Sequence, residues 1–267
     1  RFALPDMMSR SSMRSATWWA MRARWCGGLT ALSRPAPIRA ATAPPPGTDV
    51  APSAGEADSP FRPEHFERQD EADDAAFYAP ERMVQHLDET GRAALTGFYR
   101  EQLPAGGRVL DLMSSWVSHL PEDIDFATVA GLGMNRAELD ANPRLSETHV
   151  QNLNVDPQLP FSDGAFDACV IALSVQYLTR PLEVFAEIAR VLAPGGLCAV
   201  SFSNRCFPTK AVAIWQSLGD SDHAGLVGAY FRHTGGFDEP VGLDASPSGV
   251  SGDPLFIVTA TRTVVSS

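Results

Sequence analysis

Strand-length apolar runs alternate with helix-length amphipathic stretches from about residue 81 to residue 262, and that alternation leaves few folds open. Arg108–Met113 (RVLDLM), Thr128–Leu132 (TVAGL), Phe166–Ser174 (FDACVIALS), Leu197–Phe202 (LCAVSF) and Leu255–Arg262 (LFIVTATR) read as strands. Helical spacing runs through residues 81–103, with Met83, Leu87, Leu95 and Phe98 on one side and Gly106-Gly107 beyond the end. It recurs in Pro181–Leu192, closed by Pro194-Gly195-Gly196, and in Ala211–Leu218 and Ala224–Phe231. Strands joined by helical crossovers lie parallel, with helices covering both faces. The expectation is an α/β fold: a doubly wound, Rossmann-like, mainly parallel sheet. Phe98, Phe161, Phe166, Phe185 and Phe202 fall at core positions of that pattern.

The 267 residues suffice for one such domain and an appendage, not for two full domains. No run of about 18 apolar residues is present, so no membrane-spanning helix is expected. The four cysteines, Cys26, Cys169, Cys198 and Cys206, lack CxxC spacing and read as free thiols, mostly buried. Charge is uneven. Residues 1–55 hold seven arginines and two aspartates, a balance of +5, and residues 56–267 hold fourteen bases and thirty acids, a balance of -16. A body that acidic repels phosphate backbones, which argues against nucleic acid as a partner. The basic opening, residues 1–50, has the composition of an organelle transit peptide. Eight prolines between Pro35 and Pro63 mark residues 51–76 as a linker. The acid run Glu67–Asp74 reads as its solvated flank, and the lone lysine, Lys210, as a coding preference. Ordered structure is expected from about Phe77, with the domain spanning 77–264.

In open α/β sheets a ligand sits outside the carboxyl ends of the strands, where strand order reverses. The first strand ends in Asp111-Leu112-Met113-Ser114-Ser115-Trp116-Val117-Ser118-His119-Leu120-Pro121. With Val109–Leu112 (VLDL), Leu159–Asp167 (LPFSDGAFD) and Glu187–Gly196 (EIARVLAPGG) following in order, residues 77–262 resemble the class I S-adenosylmethionine-dependent methyltransferases, in particular the type 11 group. The DLMSSWVSHLP segment resembles a divergent subfamily of cyanobacteria and plants. The resemblance implies a methyltransferase fold, S-adenosylmethionine as cofactor and a small-molecule acceptor; it names neither the acceptor nor an oligomeric state.

The departures from the family pattern fall on the cofactor site. Three glycines usual after the first strand are Met113, Ser115 and Val117 here, and the acid that ends the second strand is replaced by Gly133, with Asn135 two residues on. The residues aligned with cofactor-binding positions are then Asp111, Met113, Ser114, Ser115, Asn135 and Ser174, with Asn152, Leu153 and Asn154 near the adenine. The residue nearest the adenine amino group is Asn152, Asn154 or Asp156. His119 and Tyr177 are the candidate catalytic residues. Gln176 and Arg205 are candidate substrate contacts, with Ser203 and Asn204 beside Arg205. Arg82, His86 and Asp88 share a helical face that reads as a surface pair or as a lid. The altered loop also leaves room for a non-catalytic binding or assembly protein of the same fold. A nicotinamide-dependent reductase would need GxGxxG after the first strand, and the sequence has none.

Overall fold

A computed structural model describes residues 60–246 and 252–264. The leader expected over residues 1–50 lies outside the described residues. Seven strands form one sheet: β1 (Arg108–Leu112), β2 (Thr128–Gly133), β3 (Glu147–Val150), β4 (Phe166–Ala172), β5 (Leu192–Phe202), β6 (Val241–Asp244) and β7 (Phe256–Thr261). Their spatial order is β3-β2-β1-β4-β5-β7-β6, parallel except where β7 pairs antiparallel with β5 and β6. The helices are α1 (Asp74–Tyr78), α2 (Glu89–Gln102), α3 (Arg136–Ala141), α4 (Pro181–Val191), α5 (Ala213–Gln216) and α6 (Asp220–Thr234).

Alternation along each strand divides the core. Leu110, Leu112, Ile171 and Val200 face α4 and α6, packing with Phe185, Ile188 and Phe231, while Val109, Val129 and Val170 face α2 through Leu95, Phe98 and Tyr99. Each fully buried Leu or Phe stabilises the fold by about 1.5–3 kcal/mol, so both layers are required. Cys169 and Cys198 are buried free thiols on register-paired positions of β4 and β5.

Three expectations change. The helix foreseen over 81–103 begins only at Glu89, because Asp88 caps it, its carboxylate accepting from the Gly91 amide at 2.7 Å. Residues 60–76 pack on the body: Arg68 bridges Val212, and Asp74 is buried rather than solvated. Lys210 is fully buried, with its ammonium 3.1 Å from Asp74 and 3.3 Å from Asp70.

Candidate active site

Strand order reverses between β1 and β4, and a cavity of about 210 Å³ opens at their carboxyl ends. It is smaller than the roughly 300–1,000 Å³ usual for ligand pockets, and residues from the segment 74–86 form part of its wall. On its β1 side, Asp111 is 2% exposed, and its Oδ2 accepts from the Ser114 and Ser118 hydroxyls, each at 2.6 Å. Burial pushes its carboxyl up to about 6, the two hydroxyls acting against that rise. Asn142 steadies the loop, donating to Ser118 Oγ and to the Ser115 carbonyl, both at 2.8 Å.

Met113 keeps a left-handed backbone, φ 60°, although it is not glycine, and so do His119 (φ 57°) and Leu173 (φ 58°). Gly133 is explained by the same loop: a Cβ there would lie 2.2 Å from the Ser114 carbonyl oxygen, so no acid can occupy that position with the loop as it stands. The Ser114 amide bonds the Leu132 carbonyl at 2.8 Å and holds this close approach.

Asn135 borders the cavity, but its side chain is committed. It accepts from the Glu138 amide as the cap of α3 and donates to the Tyr78 and Ala79 carbonyls at 3.0 and 3.1 Å. The carboxylate at this wall is Glu138, which accepts from Ser115 Oγ at 2.5 Å and from the Arg82 amide at 2.8 Å. Sequence reasoning passed over Glu138; the Asn-x-x-Glu spacing of Asn135 and Glu138, a helix-start signal, could have revealed it.

Met113, Ser114, Ser115, Asn152, Leu153, Asn154, Ser174, His119, Tyr177 and Arg205 all border the cavity. Asn154 is fully engaged, donating to Asp74 Oδ2 and the Tyr177 carbonyl at 3.0 Å each and accepting from the Thr179 amide at 2.8 Å. Asp156 lies off the cavity, accepting from the Gln158 amide. Burial lowers His119 to about 4, with the Arg92 and His86 charges adding to the fall. Burial pushes Tyr177 up to about 12 against the hydrogen bond that its hydroxyl accepts from the Phe207 amide at 2.8 Å.

Gln176, expected to meet substrate, does not border the cavity; it is 2% exposed and donates inward to the Leu173 carbonyl at 2.9 Å. Ser203 and Asn204 also lie off the cavity. Arg205 faces outward, its Nε 2.8 Å from Asp253 Oδ1. Arg82 and His86 border the cavity, whereas Asp88 serves as the cap of α2. Tyr78 and Phe207, unforeseen from sequence, also line the wall, as does Trp116 of the first loop, whose Nε1 donates to the Val84 carbonyl at 3.0 Å. Among the described residues, no helix is long and apolar enough to cross a membrane.

Residues 114–200 match the model of the type 11 methyltransferase family, described as a methyltransferase domain. A 43-residue stretch is 49% identical to the biotin biosynthesis bifunctional protein of Teredinibacter turnerae, covering 16% of this chain and 8% of that one. A 47-residue stretch is 45% identical to the ubiquinone/menaquinone biosynthesis C-methyltransferase of Roseobacter denitrificans, covering 17% of this chain and 19% of that one. Among solved structures, Haemonchus contortus phosphoethanolamine N-methyltransferase 2 with S-adenosyl-L-methionine aligns at TM-score 0.48 and 12% identity, over 65% of this chain and 52% of the other. Streptomyces coelicolor geranyl diphosphate C-methyltransferase aligns at TM-score 0.43 and 15% identity, over 64% and 77%. The strand order is that of a doubly wound, mainly parallel sheet with β7 alone reversed.

Proposed function

We propose that this chain is an S-adenosylmethionine-dependent methyltransferase acting on a small-molecule acceptor, in the divergent type 11 branch to which its first loop is similar. The observation that carries the reading is backbone strain placed at one site. Among the described residues, every non-glycine residue with positive φ (Met113, His119 and Leu173) borders the same cavity at the ends of β1 and β4. Each such conformation costs on the order of 1–3 kcal/mol, and strain of this kind concentrates where a ligand is held.

The side chains present suit the cofactor's charges and hydroxyls, and admitting it requires the wall formed by residues 74–86 to shift outward, because about 210 Å³ is below the usual range for a ligand pocket. A buried carboxylate whose proton affinity is raised, as in Asp111, gains from a nearby cation, and the cofactor brings both an ammonium and a sulfonium. Glu138 supplies the paired oxygen acceptor that vicinal ribose hydroxyls require, and Asn152 and Leu153 would flank the base. When bound, S-adenosylmethionine supplies an electrophilic methyl group. What remains for the protein is to orient the acceptor, exclude water and receive a proton where the acceptor carries one. Tyr78, Trp116 and Arg82, on the mouth side, serve the exclusion of water.

Calorimetric titration of the full chain with S-adenosylmethionine tests this. Micromolar binding is expected, weakened about 10–100-fold by Glu138→Gln through loss of charged hydrogen bonds. Silence at millimolar cofactor would instead mark a binding or assembly protein that keeps only the fold. The arginine-rich composition of residues 1–50 supports an organelle address, a plastid before a mitochondrion.

A further inference from the structure

The acceptor end of the cavity differs in character from the cofactor end. Past β4 and β5 its wall is aromatic: Tyr177 and Phe207 lie with ring centroids 5.9 Å apart and planes tilted by 30°, and His86 stands edge-on to Phe207 at 6.0 Å. The cations bordering the cavity are already engaged. Arg82 donates to the Phe77 and Pro80 carbonyls and lies 5.6 Å over the Phe207 ring, and Arg205 is paired with Asp253. Of the carboxylates at the cavity, Asp74 is paired with Arg68 and Lys210, which leaves Asp111 and Glu138 facing Arg82; with a cofactor of net charge +1 bound the balance is near zero, so an anionic acceptor would meet no spare cation. One polar group at this end wants a partner: the Ser174 hydroxyl is shut from solvent and bonds nothing within the protein.

Resting on the methyltransferase reading above, we propose that the acceptor is an uncharged aromatic compound whose ring seats against Phe207 and Tyr177 and whose hydroxyl oxygen, placed between His86 and Ser174, receives the methyl group. As the oxygen–carbon bond forms, the sulfur–methyl bond breaks with its electron pair going to sulfur. The hydroxyl proton passes to a ring nitrogen of His86, leaving a methyl ether, a neutral thioether and an imidazolium that sheds its proton to water. Burial lowers the basicity of His86, Glu138 opposing and Arg82 and Arg205 assisting, so the ring is a weak base. A weak base suffices for a hydroxyl, because an oxygen bearing a third bond is strongly acidic; an amine acceptor would not need it.

The probes are 2-naphthol, 2-naphthoate, 2-naphthylamine and cyclohexanol, offered to the full chain. In the S-adenosylhomocysteine-saturated protein, calorimetry is expected to show 2-naphthol binding at least tenfold more tightly than 2-naphthoate or cyclohexanol. Phe207→Leu, which keeps most of the packing volume, is expected to weaken that binding about three- to tenfold, and Phe207→Ala by more. With S-adenosylmethionine, labelled methyl should appear on the naphthol oxygen, and any transfer to the naphthylamine nitrogen, which needs no base, should be unmoved by His86→Gln. His86→Gln should lower kcat about 100-fold while the naphthol Kd moves less than threefold. S-adenosylmethionine binding without preference for 2-naphthol over 2-naphthoate and cyclohexanol, or a naphthol transfer that His86→Gln leaves unchanged, overturns the inference alone. Silence toward S-adenosylmethionine itself removes the parent reading, and this one with it.

Discussion

Asp111 and His119 stand eight residues apart around one loop, and burial pushes their proton affinities in opposite directions. Asp111 titrates near 6 in the folded chain and near 4 when unfolded, so the stability tied to its protonation is full below about pH 4 and lost as pH rises through 6. His119 titrates near 4 folded and about 6.5 unfolded, so its contribution is full above about pH 6.5 and lost as pH falls toward 4. Between pH 4 and 6 the two slopes oppose each other. Asp111→Asn should therefore raise stability at pH 7, by on the order of 1–3 kcal/mol, and make acid loss steeper. His119→Gln should make it shallower. Thermal melts of each variant from pH 4 to 8 check both signs, and parallel profiles would refute the assignment. The same variant pair carries a functional corollary: Asp111→Asn should weaken cofactor binding, since the buried charge that favours a cation is gone. Residue types at this loop were readable from the order of motifs, but their partners were not. Nothing in the spacing shows that Asn135 spends its amide on the Tyr78 and Ala79 carbonyls, or that Gln176 turns inward to Leu173. The first choice depends on which chain segment crosses above, a long-range fact, and the second on the rotamer of a buried side chain within three residues of its partner.

That crossing segment, α1 and the extended residues up to Leu87, is the element that sequence periodicity misjudged. Apolar spacing from Met83 to Phe98 suggested one continuous helix, yet tertiary bonds take residues 82–84 out of it: Arg82 bonds Glu138, and the Val84 carbonyl bonds Trp116. The edge strand β3 was missed for the opposite reason, since Glu147-Thr148-His149-Val150 is half exposed and shows no apolar run. What anchors the crossing segment is a buried charge group. Burial would raise the Asp74 carboxyl, but hydrogen bonds from Asn154, Arg68 and Lys210 outweigh it and hold the group below its usual range. Lys210 also donates to the Asp70 and Ala72 carbonyls at 3.2 and 2.7 Å. Removing one member leaves the others buried without full compensation, at a cost of about 3 kcal/mol or more. Lys210→Met should then lower the melting temperature by about 6–12 °C in a body of this size and speed proteolysis within residues 60–86. An unchanged melt with unchanged cleavage would show that the segment is held by its aromatic contacts alone. Because Asp74 borders the cavity and also clamps Asn154, loosening this anchor should reach the site, weakening cofactor binding without touching a residue that faces the cofactor.

Over the whole molecule, the alternation of strands and crossovers was legible because each buried strand must be apolar on both faces, and each crossover helix must bury one stripe. β1, β2, β4 and β7 were placed within two residues for that reason, while β5 begins five residues earlier than expected, at Leu192; the strand-order reversal then located the cavity between β1 and β4. The reversed β7 was not legible, since antiparallel and parallel buried strands share one pattern. Charge is arranged at the same scale. The folded part belongs to a stretch carrying -16, while residues 1–50 carry seven arginines and two aspartates. An import receptor reads a basic, acid-poor segment, and an acidic body neither competes for that receptor nor clings to nucleic acid. The full chain with a fluorescent protein at its carboxyl end should accordingly enter plastids, and the same fusion beginning at residue 51 should stay outside. Replacing Arg10, Arg14, Arg22 and Arg24 with glutamine should abolish entry while leaving cofactor binding by the purified chain unchanged, because among the described residues the cavity wall begins at Asp74. Mitochondrial marker overlap would change the address and keep the mechanism of sorting. Uniform cytosolic fluorescence of the full chain would remove both.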